Sequence, residues 1–354
     1  MRKPIGLHAL PMYKGLEIQK LAQIFNNTSA TYKFYWFLGI LDCVEKGKSE
    51  VDKIDLFAKM ISIPWYTVNY FKLSFGSQDK IQSTINFVQR RENLPITFSK
   101  TEIETKLKTS QSKEVQRKLY HFDKNVPHWF LSPWYKEKKK EVIYLSSQEF
   151  RNKPPYALYD HKIIIDEDWF DYFQVHAKLL KDFCYWNLSI FLQVRNPNVP
   201  DIPNKLIKPA KRNSLTRQRN NFWTIYIRQK KDVRCIFTGN LIDPDNYSLD
   251  HFIPYAFVSH DLIWNLIPVD PNFNSSKNSK LPNLELYFQR FFDYQKDAFF
   301  SIRRLKPNKK FEEEYHTIFP RLKTEEDFTQ ERFFDTLSPL VTTAHNNGFD
   351  FLEQ

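Results

Sequence analysis

The sequence contains few glycines and few cysteines, and each shortage excludes a class of protein. Only 7 of its 354 residues are Gly, against 20 Pro, and neither a G-x-G-x-x-G nor a G-x-x-x-x-G-K-[ST] pattern occurs. Because Gly-rich loops of this kind bind nucleotide phosphates, we expect no nucleotide hydrolysis in this chain. The 3 Cys lie far apart in the sequence, which excludes a disulfide framework and favours a reducing compartment.

Long apolar runs are also missing. The longest aromatic-rich run, from Tyr32 to Val44, contains Lys33 and Asp42 and is shorter than the ~18 apolar residues that a membrane span needs. The basic stretch at the start of the sequence is followed by too short an apolar segment for a signal peptide. We therefore expect a cytoplasmic protein without membrane contact.

Aromatic residues are abundant, at 16% of the sequence. The apolar share of 42% and the charged share of 26% are typical of a folded globular protein. We expect Trp36, Trp65 and Trp186 to lie in the core, because large aromatic side chains are more often core residues than platforms on which bases stack.

Positive charge is concentrated in one segment. The net charge is +11, and the basic segment, from Asn204 to Arg234, contains ten Lys and Arg against the single acid Asp232. Such a segment is expected on a surface that binds phosphates, although an ordinary solvated charged face is the alternative. The candidate nucleic-acid contacts in this segment are Arg212, Arg217, Arg219, Arg228, Lys230 and Lys231.

Hydrophobic periodicity predicts a mostly helical first half. Apolar residues at spacings of three and four indicate helices, and short β-type runs follow them before a further long helix. The predicted helices are Leu16–Phe25, Ala30–Val44, Lys53–Ile61, Asp79–Arg91 and Asp166–Val194, with an exposed helix or loop at Lys100–Arg117; the predicted strands include "EVIYL" (141–145) and "HKIIID" (161–166).

The stretch "NYSLDHFIPY" (246–255) combines a β-type run with Asp250 and His251 at its centre. Neighbouring side chains on a strand point to opposite faces, so the pair must lie near a strand end if both are to face one site. A second apolar run opens with Asn265, fourteen residues after His251. The two runs predict a hairpin that carries the Asp-His pair.

A short helix is expected directly after this hairpin. Asp270 can accept hydrogen bonds from the first free amides of a helix, and Pro271 suits the first helical position. Asn274 then falls one turn into the helix. A hairpin with one helix packed on it can bring Asn274 close to Asp250 and His251.

Asp250-His251, Asn265 fourteen residues later and Asn274 nine residues after that resemble the signature of the HNH nucleases of the ββα-metal class. The resemblance covers about fifty residues, Arg234 to Pro282. It implies a ββα fold and the hydrolysis of DNA phosphodiester bonds.

The resemblance also implies roles for individual residues. His251 would be the general base that activates water, and Asp250 and Asn274 would hold one divalent cation. Asn265 would tie the loop between the strands and help to aim His251. Two further cations, Lys277 and Lys280, are candidates for phosphate contacts.

The residue types favour a particular metal. One carboxylate and one amide oxygen, completed by water and phosphate, suit Mg²⁺, with Mn²⁺ as an alternative. Many HNH domains carry two C-x-x-C pairs around a structural zinc, but here Thr238 stands three residues after Cys235 where the second Cys would be. We therefore expect no structural zinc. Aromatic packing is expected in its place, from Phe237, Phe252, Phe257, Trp264 and Phe273.

The predicted fold class is α+β, with a mostly helical N-terminal region containing some β structure, a ββα-metal nuclease domain and a helical C-terminal tail. Four prolines between Arg195 and Pro209 mark a boundary. We expect a substrate- or partner-recognition region at 1–200, the nuclease domain with its basic lead-in at 201–300, and a helical extension at 301–354.

These features predict a metal-dependent HNH endonuclease acting on DNA in restriction or antiphage defence. Two alternatives remain open at this point. One is a nuclease that acts on RNA, or a toxin that degrades nucleic acid without discrimination. The other is an inactive nucleic-acid-binding module. Since the sequence contains no nucleotide-binding motif, a motor or sensor ATPase would have to come from another chain; the oligomeric state is open.

Overall fold

The computed structural model describes residues 10–13, 15–207 and 213–353. The chain forms two compact units, of which the N-terminal unit ends at Asn196 and the C-terminal unit begins at Pro197. The division lies within the proline-rich stretch that suggested a boundary. Residues 301–354 belong to the same compact unit as the Asp250-His251 pair.

The N-terminal unit consists of helices around one small antiparallel sheet of strand order β1-β3-β2. Its helices and strands are α1 (Ile18–Ala22), α2 (Tyr32–Val44), β1 (Glu50–Asp52), α3 (Lys53–Ser62), α4 (Trp65–Asn69), α5 (Lys80–Arg91), α6 (Lys100–Thr109), α7 (Lys113–Tyr120), α8 (Val126–Leu131), α9 (Lys140–Gln148), β2 (Tyr156–Leu158), β3 (Lys162–Ile165) and α10 (Glu167–Arg195).

The core of this unit is aromatic, and a chain of hydrogen bonds joins three of its elements. Most residues of α2 are buried. The indole N–H of Trp36 donates to the hydroxyl of Tyr156 at 2.9 Å, and that hydroxyl donates to the carbonyl of Pro127 at 2.8 Å. These bonds join α2, β2 and α8, as expected for buried aromatic side chains with a polar atom.

Most predicted elements of this unit are confirmed, but two expectations are wrong. The segment "EVIYL" is not a strand and lies within α9, where Ile143 and Ser147 are buried one turn apart and Leu145 between them is 66% exposed. Burial of residues four apart, with exposure of the residue midway between them, is the periodicity of a helix and not of a strand. Trp186 is not a core residue, because it lies on the solvent-facing side of α10 with 54% of its surface exposed.

The C-terminal unit contains a two-stranded antiparallel hairpin among helices. Its elements are α11 (Ile202–Lys205), α12 (Thr216–Gln218), a π-helical turn (Arg219–Trp223), α13 (Thr224–Lys230), β4 (Ser248–His251), α14 (Tyr255–Val258), a 3₁₀ turn (Ile263–Asn265), β5 (Leu266–Val269), α15 (Pro271–Lys277), α16 (Leu284–Leu305), α17 (Lys309–His316) and α18 (Gln330–Asn346).

The C-terminal helices support the hairpin. Phe291 of α16 stacks on Phe252, with ring centroids 3.8 Å apart, and packs on Phe333 of α18 at 5.7 Å. Gln295, also in α16 and fully buried, donates to the carbonyl of Leu266 in β5 at 2.7 Å. The predicted α+β class is confirmed.

The longest helices are α10 and α16, with 29 and 22 residues. Both contain charged side chains along their length. Within the described residues, none of the helices combines the length and the apolar character that a membrane span requires.

Candidate active site

The Asp250-His251 pair lies at the end of the hairpin. His251 is the last residue of β4 and pairs with Leu266 of β5. Because the alternation of side chains stops where a strand ends, both members of the pair can face one site. The helix α15 begins as predicted, since the carboxylate of Asp270 accepts from the N–H of Asn272 at 2.8 Å. The predicted order of strand, loop, strand and helix is confirmed.

Asn265 ties together the two ends of the β4–β5 connection (252–265). Its side chain is fully buried. The amide oxygen accepts from the N–H of Ile253 at 2.9 Å, and the amide nitrogen donates to the carbonyl of Ile253 at 2.9 Å. These two bonds fix the main chain two residues after His251.

Lys277 does not lie at the surface, so the expectation that it contacts phosphate needs correction. Its side chain is 0% exposed, and its Nζ donates to the carbonyl of His251 at 2.7 Å. The same Nζ lies 2.8 Å from Oδ2 of Asp250, whose side chain is 16% exposed. A buried ammonium is tolerated when a carboxylate compensates its charge. Lys277 therefore joins α15 to β4 instead of presenting a free cation to solvent.

A carboxylate that the sequence analysis missed contacts His251. Nε2 of His251 lies 3.0 Å from Oδ1 of Asp261, and the two side chains are 4% and 16% exposed. Asp261 lies ten residues after His251 in an irregular part of the β4–β5 connection. No periodicity or motif spacing could have indicated it.

The β4–β5 connection is also held from outside the hairpin. Gln218 of α12 donates to the carbonyl of Asp261 at 3.1 Å. Glu314 of α17 accepts from the N–H of Ile263 at 2.7 Å, and its other oxygen accepts from Arg217 at 2.8 Å. Helices before and after the hairpin therefore position the loop beside His251.

Two further titratable groups lie in this region. Burial lowers the pKa of His260 to about 4, and the neighbouring His251 and Lys205 lower it in the same direction. The side chain of Lys205 is fully buried and donates to the carbonyl of Pro200. Burial lowers the pKa of Lys205 to about 7. His260 is therefore neutral near pH 7 and adds no positive charge beside His251.

The oxygen donors expected to hold a metal are Asp250 and Asn274. Asn274 is half-buried in α15, and its side-chain amide makes no hydrogen bond with another described residue. Across the described ranges, no group of three or more His, Cys, Asp and Glu side chains could hold a metal. One carboxylate and one amide still fit Mg²⁺, which keeps several water ligands. The Lys277 ammonium shows that Asp250 already faces a positive charge.

Aromatic side chains pack around the positions where a zinc would be expected in other HNH domains. Phe237 stacks on Phe273 at 4.7 Å between ring centroids and on Phe252 at 6.5 Å. Phe257 and Trp264 lie elsewhere, against Phe349 and His260. The expected aromatic cluster thus contains three of its five predicted members.

Two arginines in the middle of the basic segment, Arg217 and Arg219, make contacts within the unit. Arg217 pairs with Glu314 at 2.8 Å. The guanidinium of Arg219 lies 4.3 Å from the ring centroid of Tyr247. Arg212 lies outside the described residues. Arg217 therefore supports the β4–β5 connection, and this contact weakens the expectation that it is a free phosphate-binding group.

The cations at the end of α13 are more exposed. Arg228 pairs with Asp245 at 2.6 Å while 60% of its side chain is exposed, and Lys230 pairs with Asp297 at 2.7 Å while 53% is exposed. Lys231 is exposed directly after the helix. Lys280, 38% exposed, lies 3.9 Å from Glu353. Exposed pairs of this kind are weak, so these cations remain available to a phosphate.

Comparison with known protein families gives a match for one segment of the chain. Residues 235–283 match the family model described as HNH endonuclease. The match includes the hairpin and α15 and nearly coincides with the predicted span from Arg234 to Pro282. The resemblance to the HNH endonuclease family is confirmed over this segment. No solved structure was found to match the chain.

Proposed function

We propose that the HNH endonuclease domain at 235–283 makes this protein a metal-dependent endonuclease that hydrolyses phosphodiester bonds in DNA. The observation that carries this proposal is the meeting of Asp250 and His251 at the end of β4 with α15, which carries Asn274. A general base, a carboxylate and an amide oxygen thus occur within one hairpin and the helix that follows it.

In this proposal His251 takes a proton from the attacking water, a role suited to an imidazole near neutral pH. Asp250 and Asn274 would hold Mg²⁺, or Mn²⁺ in its place, which would neutralise charge on the phosphate and on the leaving 3′ oxygen. Asn265 holds the main chain after His251 through its two bonds to Ile253. Lys280 and the exposed cations of α13 would bind the DNA backbone.

The test is cleavage of a supercoiled plasmid in Mg²⁺ by the wild-type protein and by His251→Ala. We expect the variant to cut about 10²–10⁴-fold more slowly, since it lacks the general base. Binding of DNA should persist, because the imidazole is not needed to attract phosphate. An Ala replacement of the exposed His345 is the matched control. Cutting by His251→Ala within threefold of wild type would overturn the catalytic assignment.

The choice of substrate is tested in the same assay. Linear duplex, nicked circle, single-stranded DNA and RNA are offered separately to the wild-type protein. Faster cleavage of RNA than of any DNA would favour the RNA nuclease or toxin. Binding without cleavage of any substrate would favour the inactive binding module.

We also propose that the nuclease serves restriction or antiphage defence with a partner chain that supplies an ATPase or sensor. The support is that the chain has a segment matching the HNH endonuclease family, a second compact unit and no nucleotide-binding motif in its sequence. Cells that express the wild type should then resist phage better than cells that express His251→Ala. Equal plaque numbers in the two strains would count against this role.

A further inference from the structure

We propose that Asp261 is a positioning residue for His251, one that fixes which ring nitrogen can accept a proton. This inference rests on the proposed function. Its starting point is the contact of 3.0 Å between Nε2 of His251 and Oδ1 of Asp261, made between side chains that are 4% and 16% exposed. A contact so poorly exposed is little screened by water.

The chemistry of the two groups decides the tautomer. A neutral imidazole has one N–H donor and one acceptor nitrogen, and a carboxylate can only accept. Nε2 of His251 therefore carries the hydrogen that faces Asp261, and the lone pair lies on Nδ1. In the part of the chain that the structure describes, no hydrogen bond is made to Nδ1. Nδ1 is thus the nitrogen left to act on water.

The proton balance of the step follows from this tautomer. Water gives one proton to Nδ1 as its oxygen attacks phosphorus, and His251 becomes an imidazolium with N–H groups on both nitrogens. The bond from phosphorus to the leaving 3′ oxygen breaks in the same step, and that oxygen takes a proton from solvent. Asp261 stays ionised and stabilises that cation without taking the proton, as a carboxylate does behind a catalytic histidine. The imidazolium later returns its proton to solvent.

The main chain that directly follows the Asp261 side chain is anchored at two points. Gln218 binds the carbonyl of Asp261, and Glu314 binds the N–H of Ile263 two residues later. Both contacts come from helices outside the hairpin. A loop held at two points keeps its carboxylate in place, which a positioning residue requires.

The variants separate a positioning role from a merely structural one. Asp261→Asn keeps the shape of the side chain, so it should preserve the loop. Its amide can turn to hydrogen-bond to either tautomer of His251, so it should not preserve the single tautomer. Asp261→Glu keeps the carboxylate on a longer side chain. Asp293→Asn, at an exposed residue of α16, removes the same charge elsewhere and is the matched control.

We expect kcat for plasmid nicking to fall by at least about 10²-fold in Asp261→Asn while KM for DNA changes less than threefold. Asp261→Glu should recover part of this loss, and Asp293→Asn should cut like the wild type. If Asp261→Asn cuts within threefold of the wild type while His251→Ala does not cut, Asp261 has no positioning role and the proposed function stands. If His251→Ala itself cuts like the wild type, the proposed function fails.

A spectroscopic measurement tests the inference even if no substrate is cut. Ring ¹⁵N shifts of histidine distinguish the two neutral tautomers, and the signal of His251 is identified by its loss in His251→Gln. Above the ordinary pH range of histidine titration, the wild type should show a single tautomer with hydrogen on Nε2. Asp261→Asn should show a mixture. Hydrogen on Nδ1 in the wild type would overturn the proposal.

Discussion

Two lysines of the C-terminal unit, Lys205 and Lys277, have fully buried side chains but different partners. Lys277 lies 2.8 Å from the carboxylate of Asp250, whereas Lys205 donates to the neutral carbonyl of Pro200. A carboxylate compensates a buried ammonium far better than a carbonyl does. Burial accordingly lowers the pKa of Lys205 to about 7, an effect that Asp201 partly offsets.

This lowered pKa makes a prediction about stability. Between pH 7 and the ordinary lysine pKa of 10.5, Lys205 is protonated in the unfolded chain but largely neutral in the folded one. The free energy of unfolding should therefore rise with pH in this range by roughly 1 kcal/mol per pH unit from this group. Lys205→Met should remove that contribution. The lost bond to Pro200 shifts the variant's whole curve but leaves its slope unaffected.

The measurement is urea unfolding of wild type and Lys205→Met at several pH values from 7 to 10. The difference in unfolding free energy, variant minus wild type, should fall as pH rises. Lys309→Met, at an exposed position, is the control and should show a constant difference. A constant difference for Lys205→Met as well would show that the buried lysine keeps its ordinary pKa.

At the scale of elements, the sequence predicts features that depend on residues close together along the chain and misses contacts between residues far apart along it. Motif spacing and helix capping are short-range signals, so the sequence is sufficient to predict the Asp250-His251 pair, Asn265 and the Asp270 cap. The contact of Glu314 with Ile263 spans 51 residues, and no local pattern encodes it. The error over "EVIYL" has a related cause, since a short apolar run fits strand or helix until its packing partners are known.

The contact between α17 and the β4–β5 connection can be tested by replacing Glu314. Its side chain is 11% exposed, and it accepts from both Ile263 and Arg217. Glu314→Ala leaves the Ile263 N–H without its acceptor, so we expect a loss of about 1–3 kcal/mol of unfolding free energy. Glu314→Gln keeps an acceptor oxygen and should lose less. Glu313→Ala, at the exposed neighbouring position, is the control.

Urea unfolding of these three variants gives the comparison, and nicking assays on the same samples give its functional consequence. Glu314→Ala should also nick plasmid more slowly than Glu314→Gln, because a looser connection positions Asp261 less well. Equal unfolding free energies for the Ala replacements at 314 and 313 would mean that the loop does not depend on α17.

At the scale of the whole molecule, charge is the property that follows most directly from the sequence composition. The net charge is +11, and the basic segment holds ten of the 52 Lys and Arg residues. The sequence could not distinguish cations engaged within the fold from those left at the surface. Arg217 turned out to bind Glu314, whereas Arg228, Lys230 and Lys231 are exposed at the end of α13.

This distinction predicts which cations set the salt dependence of DNA binding. Replacing Arg228, Lys230 and Lys231 together by Gln should weaken binding to all sequences alike, because phosphate contacts carry no base readout. Each lost phosphate contact should make the slope of log K against log salt shallower by about 0.9, so the triple variant should lose up to roughly 2.7. Nicking at saturating DNA should persist, since none of the three touches His251 or Asp250.

The matched control removes three positive charges from the N-terminal unit, by replacing the exposed Lys136, Lys138 and Lys139 with Gln. Both triple variants have the same net charge, so any difference between them reflects position and not total charge. Salt titrations by fluorescence anisotropy on two unrelated duplexes should show a shallower slope for the α13 variant alone. A shallower slope for the control alone would place the DNA-binding surface on the N-terminal unit. Unchanged slopes in both would assign these lysines and arginines to ordinary solvated faces.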